Sequence, residues 1–392
     1  MPSLFTQIVK DEDLNALFQP MLHRAHTPAR EALQTAFDRL PNPDGNFIKD
    51  FQTTGFNARV WELYLLAYGA GTGYTVERPH DRPDFLFRKG GASAWLEAVT
   101  ANPTPGQAPP PHGDIDAPDF LDAFRLRDYE FLPIKYGSPL FSKLNMRYWE
   151  LPHVAGLPFV IAIEDFHDCN PFRDASNSVM QYLYGQAELI QSPANAPLVR
   201  KLQAVTHHRF GNKVIPSGFF HQAGAEHISA VVFSNSGTVP KFNRMGYDSV
   251  RHAFLKLIRR GWMIDFDPDA VVPQPFAYVV GDGTHKEPWG EGLEVFHNPR
   301  PNIPLPDGFF EDATEHRVTE QRFESRAPAF CPLSSVTITI AEKNGEAFED
   351  NGRFQEMAEA SLRPMRAAIP FGERAIRELL KAPIDTSQGG GQ

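Results

Sequence analysis

Helix-like spacing of apolar residues dominates the first part of the chain. Apolar side chains three and four positions apart over residues 1–46 predict an N-terminal helical segment, and a turn signal beginning at Asn42 ends it. Residues 47–69 are apolar on almost every side, which predicts a buried helix rather than a surface one. Gly69 and the glycines that closely follow it end this helix.

Strand-like patterns replace the helical spacing after this helix. Short runs rich in β-branched and aromatic residues predict strands at 73–78, 83–87 and 94–100, the last two joined by a glycine hairpin turn. Helical spacing returns over 119–150. The run at 157–163 is apolar throughout and too short for a helix, so it predicts a fully buried strand. The predicted order is therefore helix, three strands, helix, strand.

The second half of the chain mixes both patterns. We predict strands at 228–233, 276–280, 293–296 and 336–340, and a closing helix over 352–381. Four basic residues between 251 and 260 predict a basic helix. The segment 102–118 is rich in Pro and Gly, which predicts a long surface loop beside the first group of strands, open to a role as a lid or to none.

These patterns predict a mixed α/β (α+β) protein in four parts. The parts are an N-terminal helical segment (1–46), a core (47–175), a mixed α/β C-terminal region (176–385) and a disordered tail (386–392). With 392 residues, the chain is long enough for two ordinary domains or one heavily elaborated domain.

Composition narrows the classes of function. Apolar residues make up 42% of the chain and charged residues 22%, as in ordinary globular proteins. A net charge of −10 argues against broad, sequence-independent coating of nucleic acid, although a local basic groove stays open. Two cysteines, Cys169 and Cys331, exclude a disulfide scaffold. We expect a cytoplasmic location and no membrane, because neither a secretory signal nor an apolar run of roughly 20 residues is visible.

Three acidic residues stand in apolar surroundings. Glu62 lies within the buried helix, Asp84 opens the second predicted strand, and Glu97 stands in the middle of the third. A carboxylate buried in an apolar strand costs several kcal/mol unless it is paired or binds a metal. Asp84 and Glu97 lie on adjacent strands of one hairpin and can therefore converge. Hard oxygen ligands at one point suit Mg²⁺.

The order of elements and these acids together resemble the PD-(D/E)xK nuclease superfamily, whose restriction-endonuclease-like core is αβββαβ. The resemblance covers residues 47–175, leaving an N-terminal helical extension and a large C-terminal elaboration. It implies that Asp84 and Glu97 bind Mg²⁺ or Mn²⁺, with Glu62 assisting as a further metal ligand or through a metal-bound water. It also implies hydrolysis of phosphodiester bonds in DNA or RNA, with DNA favoured.

One position departs from the family motif. The family has Glu-x-Lys on the third strand, whereas this chain has Glu97, Ala98 and Val99. Residues 97 and 99 lie on the same face of a strand, so Val99 occupies the position of the lysine. Some members of the superfamily supply this lysine from the following helix. On that basis Lys143 is the candidate replacement, and Lys135 is the second choice.

The resemblance yields a complete candidate site. The predicted catalytic residues are Glu62, Asp84, Glu97 and Lys143. Nucleic-acid contacts are predicted at Lys135, Ser138 and Arg147. The sequence leaves the oligomeric state open, with a homodimer as one option.

Each acidic residue also has a purely structural interpretation. Glu62 could pair with Arg59 one turn earlier on the same helix. Asp84 could be a turn residue after a proline. Glu97 could form a structural ion pair with Arg78 or Lys143.

Three classes of function therefore stay open. The first is a metal-dependent nuclease. The second is a catalytically degenerate nuclease fold that binds nucleic acid or a protein, which Val99 favours. The third is a metal-independent hydrolase that uses two carboxylates, such as a glycosidase.

Overall fold

The structure is a computed structural model that describes most of the chain. The described residues are 3–41, 44–104, 106, 110, 123, 126–167, 175–191, 199–267, 270, 272–319, 322–349 and 352–379. The predicted tail and most of the Pro- and Gly-rich segment 102–118 lie outside them. Within these ranges, every helix is too short or too polar to cross a membrane.

Helices come first in the described chain, and strands dominate its second part. The eight α-helices of the described residues are α1 (Phe18–Met21), α2 (Thr27–Asp38), α3 (Phe47–Gln52), α4 (Phe56–Gly71), α5 (Leu132–Asn145), α6 (Ala175–Tyr184), α7 (Val239–Ser249) and α8 (Arg353–Leu379). The strands are β1 (Thr75–Glu77), β2 (Phe85–Lys89), β3 (Ala92–Ala101), β4 (Phe159–Asp165), β5 (Gln186–Gln191), β6 (Val199–Ala204), β7 (His207–Phe210), β8 (Lys213–Pro216), β9 (Ala230–Ser234), β10 (Leu255–Met263), β11 (Gln274–Val279), β12 (Leu293–His297), β13 (Thr314–Val318), β14 (Phe323–Arg326) and β15 (Pro332–Ala341).

A mixed eight-stranded sheet forms the centre of the fold, in the order β1-β2-β3-β4-β9-β12-β13-β14. The first three strands are antiparallel neighbours. β4 then runs parallel to β3, and β9 runs parallel to β4. A parallel neighbour requires a crossover, and α5 lies in the connection from β3 to β4. The predicted mixed α/β class is confirmed, and the sheet continues across the predicted boundary at residue 175.

Both faces of the central strands are buried. On β3, Ala94 and Leu96 pack into the apolar core on the side of α4. Trp95 and Val99 point to the opposite face and pack into a second core with α5 and α6. Every residue of β4 is buried, as its uninterrupted apolar run predicts. The site described below therefore has a helix on each face of the sheet.

Two predictions of local structure are wrong. The helix predicted over 47–69 is two helices, because α3 ends at Gln52 and α4 begins at Phe56. The chain turns at Gly55, where a Cβ atom would lie 2.9 Å from the Cβ of Asp50. The basic helix predicted around 251–260 is instead strand β10, the central strand of the sheet β11-β10-β15. Most of its residues are buried, and the basic residue Arg259 is among them.

The basic residue buried on β10 belongs to an ion-pair network. Glu287 accepts from Lys241 at 2.8 Å and from Arg244 at 2.7 Å, both on α7. Arg259 of β10 lies 3.4 Å from Glu287 and also pairs with Glu291. All five side chains are at most 7% exposed. The network therefore joins α7 and β10 to the segment between β11 and β12.

Glu287→Ala should destabilise the protein by about 3–5 kcal/mol, because it leaves three cations buried around a missing carboxylate. Chemical denaturation measures the free energy of unfolding. The matched control is Glu324→Ala, which removes an exposed ion pair with Arg322 and should cost less than about 1 kcal/mol. Equal losses for the two variants would contradict the proposed importance of the network.

Candidate active site

The β2–β3 hairpin brings the first two candidate residues together. Phe85 pairs with Leu96, which sets Asp84 opposite Glu97. The backbone N–H of Asp84 donates to Glu97 Oε2 at 3.2 Å. The backbone N–H of Ala98 donates to Asp84 Oδ2 at 2.8 Å. Each carboxylate is therefore oriented by the backbone of the other strand, as the hairpin pattern predicts.

Helix α5 brings Lys143 to this pair. Its Nζ donates to Glu97 Oε1 at 2.5 Å, and the Glu97 side chain is only 5% exposed. Burial alone would lower the pKa of Lys143, but the adjacent Glu97 carboxylate outweighs it and raises that pKa. Lys143 therefore carries its proton at neutral pH. The contact fits both interpretations of Glu97. Glu97 can be one partner of a structural ion pair, or it can belong to an active site whose lysine comes from α5.

Helix α4 carries Glu62, which is held by an arginine of the same helix. Arg59 donates to both carboxylate oxygens of Glu62, at 3.1 and 3.0 Å, and also contacts Asp44 and Asp50. The Glu62–Arg59 pair that the structural interpretation expects is present, and it is compatible with a role of Glu62 in the site as well. Burial, and then the negative charge of Asp84, raise the pKa of Glu62 to about 7 against the opposing effect of nearby arginines.

Negative charge is crowded at this end of the sheet. Burial, and then the charge of Asp84, raise the pKa of Glu97 to about 7 even though Lys143 opposes the shift. Burial also raises the pKa of Asp84, against its hydrogen bond from Ala98 and the charge of Lys143. The carboxylates therefore bind protons more tightly than free carboxylates do, and another cation would relieve the same crowding.

A cavity of about 280 Å³ opens between α4, β3 and α5. Its walls are Ala58, Trp61, Glu62, Ala98, Val99, Thr100, Pro139, Ser142 and Lys143. Glu62 and Lys143 therefore line the same cavity, whereas Asp84 and Glu97 do not. Glu97 is connected to the cavity by its hydrogen bond from Lys143. Val99 of β3 and Lys143 of α5 line the same cavity.

The donor atoms of this site suit a hard divalent cation. Among the described residues, no three His, Cys, Asp or Glu side chains are placed to hold a metal ion together. Mg²⁺, however, commonly takes only one or two carboxylates, with waters and substrate phosphates as its other ligands. Asp84 and Glu97, whose carboxylates lie against each other's strands, fit that requirement by donor type. Glu62 is held by Arg59, so its role as a ligand stays a prediction.

The three predicted nucleic-acid contacts fall in two places. Lys135 and Ser138 lie on α5, and Ser138 Oγ accepts from Lys213 at 2.5 Å. Arg147 follows the end of the helix, with a positive φ of 50°, and pairs with Glu150 at 2.5 Å. Lys135 and Ser138 therefore share an element with Lys143, whereas Arg147 lies beyond the end of that helix.

The sequence analysis does not single out several residues of the site. Trp61, Thr100 and Ser142 line the cavity but were not predicted as site residues. The only sequence signal for Trp61 and Ser142 is that they directly precede Glu62 and Lys143. Lys213 reaches Ser138 from 75 residues away. A contact of that kind depends on tertiary packing and leaves no local pattern.

Comparison of the chain with protein-family models, with curated proteins and with solved structures gives no match.

The raised carboxyl pKa values predict how stability depends on pH. The folded protein holds the protons of Glu62 and Glu97 up to about pH 7, whereas the unfolded chain loses them near their ordinary value of 4.5. This contribution is therefore complete at low pH and is lost as pH rises through about 7. In metal-free protein, Glu62→Gln should gain stability relative to wild type between pH 5 and 8, measured by thermal denaturation.

The matched control for this measurement is Glu77→Gln, which replaces a more exposed glutamate of β1 that pairs with Arg88. It should keep a constant difference from wild type over the same range. A constant difference for Glu62→Gln as well would mean that the Glu62 carboxyl is not strained by burial and by Asp84.

Proposed function

We propose that this chain is a metal-dependent nuclease that hydrolyses phosphodiester bonds in DNA or RNA, with DNA favoured. In this proposal α4, β1 to β3, α5 and β4 are a restriction-endonuclease-like core. The order of these elements supports it, as do the antiparallel β1-β2-β3 arrangement and the parallel pairing of β4 with β3. These features are those expected from the αβββαβ resemblance.

The observation that carries the proposal is the contact between Lys143 and Glu97. This chain lacks the lysine of the family motif, because Val99 stands at that position. That absence by itself favours a degenerate site. Lys143 places an ammonium group on the carboxylate of the motif, at 2.5 Å, and faces the same cavity as Val99. Lys143 of α5 would therefore replace the lysine that is missing at position 99.

The residues of the site have distinct roles in the proposed reaction. Asp84 and Glu97 would hold Mg²⁺ or Mn²⁺, which when bound lowers the pKa of a coordinated water and neutralises charge on the phosphate. Lys143 keeps its proton and can donate to a phosphoryl oxygen as negative charge develops there. Glu62, with its pKa near 7, can accept a proton at the cavity wall. Arg59 orients Glu62 through two hydrogen bonds.

A catalytically degenerate binding module is the second candidate. Glu62 and Glu97 already have protein cations as partners, and no three-residue metal group is found among the described residues. Thermal denaturation in Mg²⁺ at pH 8 separates the two candidates. A nuclease site should be stabilised by Mg²⁺ in wild type and not in Asp84→Asn, whereas the absence of any shift in wild type would favour the degenerate module.

The proposed nuclease predicts loss of cleavage in two variants. Asp84→Asn and Lys143→Met should each slow cutting of DNA in Mg²⁺ or Mn²⁺ by about 10²–10³-fold, the scale for losing one group that stabilises a transition state. Gel assays with duplex DNA, single-stranded DNA and RNA measure the rates. Lys343→Met, an exposed lysine in the turn after β15, is the matched control and should cut at the wild-type rate.

Returning the lysine to the strand gives a sharper test. Val99→Lys in the Lys143→Met background should restore part of the lost rate, because both side chains line one cavity. Thermal denaturation of each variant checks that it is folded. No cleavage by wild-type protein with either metal would overturn the nuclease proposal, and hydrolysis of a glycan that survives EDTA would favour the two-carboxylate glycosidase instead.

A further inference from the structure

Basic charge is segregated on two neighbouring segments of an otherwise acidic chain. Residues 132–147, which contain α5, and residues 207–216, which form the β7–β8 hairpin, together contain five Lys and Arg and no Asp or Glu. The whole chain has a net charge of −10, so this separation is a local feature and not a consequence of composition. Local positive charge attracts polyanions even on an acidic protein.

The β7–β8 hairpin packs directly on α5. Gly137 permits the close approach, because a Cβ atom there would lie 2.6 Å from Ile215 and 3.0 Å from Tyr182. Lys213 at the start of β8 donates to Ser138 Oγ at 2.5 Å. The hairpin therefore sets its lysine beside the middle of the helix that carries Lys143.

Polar and basic side chains follow one another along α5 toward the cavity. Lys135, Ser138 and Ser142 recur three and four positions apart, which is the spacing of a single helical face, and Lys143 comes directly after Ser142. Eight residues of helix span roughly 12 Å, a length of duplex axis over which one strand carries about three to four phosphates at about 3.4 Å each. We call Lys135, Ser138, Ser142, Lys143 and Lys213 the lysine track. One end of it, at Ser142 and Lys143, is the wall of the cavity.

The outer lysines of the track lack an acidic partner. Among the residues that the structure describes, neither Lys135 nor Lys213 has a carboxylate within 4.0 Å; Lys135 donates to the hydroxyl of Thr104 and lies over the ring of Phe131. Burial, and then the charge of Lys213, lower the pKa of Lys135. Two ammonium groups held near each other without an anion repel, and a bound phosphate would remove that repulsion. Arg209 on the same hairpin is partly offset by Glu130.

We propose that the lysine track binds the phosphate backbone of one nucleic-acid strand and leads it to the cavity that Lys143 and Glu62 line. This inference rests on the proposed function, since it gives the substrate strand its path. It adds a binding element, the β7–β8 hairpin, that lies outside the region resembling the nuclease core.

The salt dependence of binding tests the track without any need for cleavage. Binding of fluorescein-labelled single-stranded DNA, duplex DNA and RNA is measured by anisotropy in EDTA over a range of salt concentrations. Each phosphate contact contributes about 0.9 to the slope of log K against log salt for duplex DNA and about 0.7 for single strands. Lys135→Gln with Lys213→Gln should therefore reduce the slope by about 1.8 or 1.4 respectively. Lys343→Gln is the matched control and should leave the slope unchanged.

The outcomes separate the track from the nuclease activity. A reduced slope in the double variant supports the track whether or not the wild type cuts, and the substrate with the larger effect identifies the bound form. An unchanged slope, or no salt-dependent binding by wild type to any of the three, overturns the track. An unchanged slope together with metal-dependent cutting would overturn the track alone and leave the proposed function standing.

Discussion

The carboxylate of Glu97 is the constraint on which the site depends. It stands in the middle of a strand that is covered by a helix on each face, where an unpaired charge costs several kcal/mol. The structure supplies two partners, the backbone N–H of Asp84 and the ammonium group of Lys143. These two contacts tie Glu97 both to the β2–β3 hairpin and to α5, next to the cavity between α4, β3 and α5.

A second buried group of charges holds the other half of the chain. Glu287 and Glu291 are surrounded by Lys241, Arg244 and Arg259, so that the sheet β11-β10-β15 is tied to α7 by charge as well as by apolar packing. This network differs from the candidate site in one physical respect. Its carboxyl pKa values are lowered overall, because its cations and, for Glu291, the hydrogen bond from His285 outweigh burial, whereas those of the site are raised. Cations outnumber carboxylates in the network, whereas carboxylates outnumber the single lysine at the site.

Local signals predicted the order of elements and the pairing of Asp84 with Glu97, because strand alternation and a glycine turn determine both within a few residues. Lys143 was identified only through the resemblance, since nothing in its own segment marks it. The break at Gly55 was missed because the polar run at 52–55, which interrupts the apolar pattern, was not read as a turn signal. β10 was mistaken for a helix because its basic residues were counted as exposed, while Arg259 is buried among acids from a distant segment. Neither that burial nor the contact of Lys213 with Ser138 has a local cause.

The charge balance of the site argues for an occupant that brings both a cation and an anion. Once their carboxyl groups are ionised, Asp84 and Glu97 carry two negative charges against the single positive charge of Lys143, and an ionised Glu62 is balanced by Arg59. The net charge of Asp84, Glu97 and Lys143 is then −1. A divalent cation changes it to +1, and one phosphodiester group returns it to zero. Neither ligand alone achieves this, since a phosphate without the cation would meet two carboxylates and the cation without the phosphate would leave excess positive charge in a partly buried cavity. A lysine on the helix rather than on the strand preserves the same sum, because what matters electrostatically is one ammonium group beside the two carboxylates, and the backbone that carries it can differ.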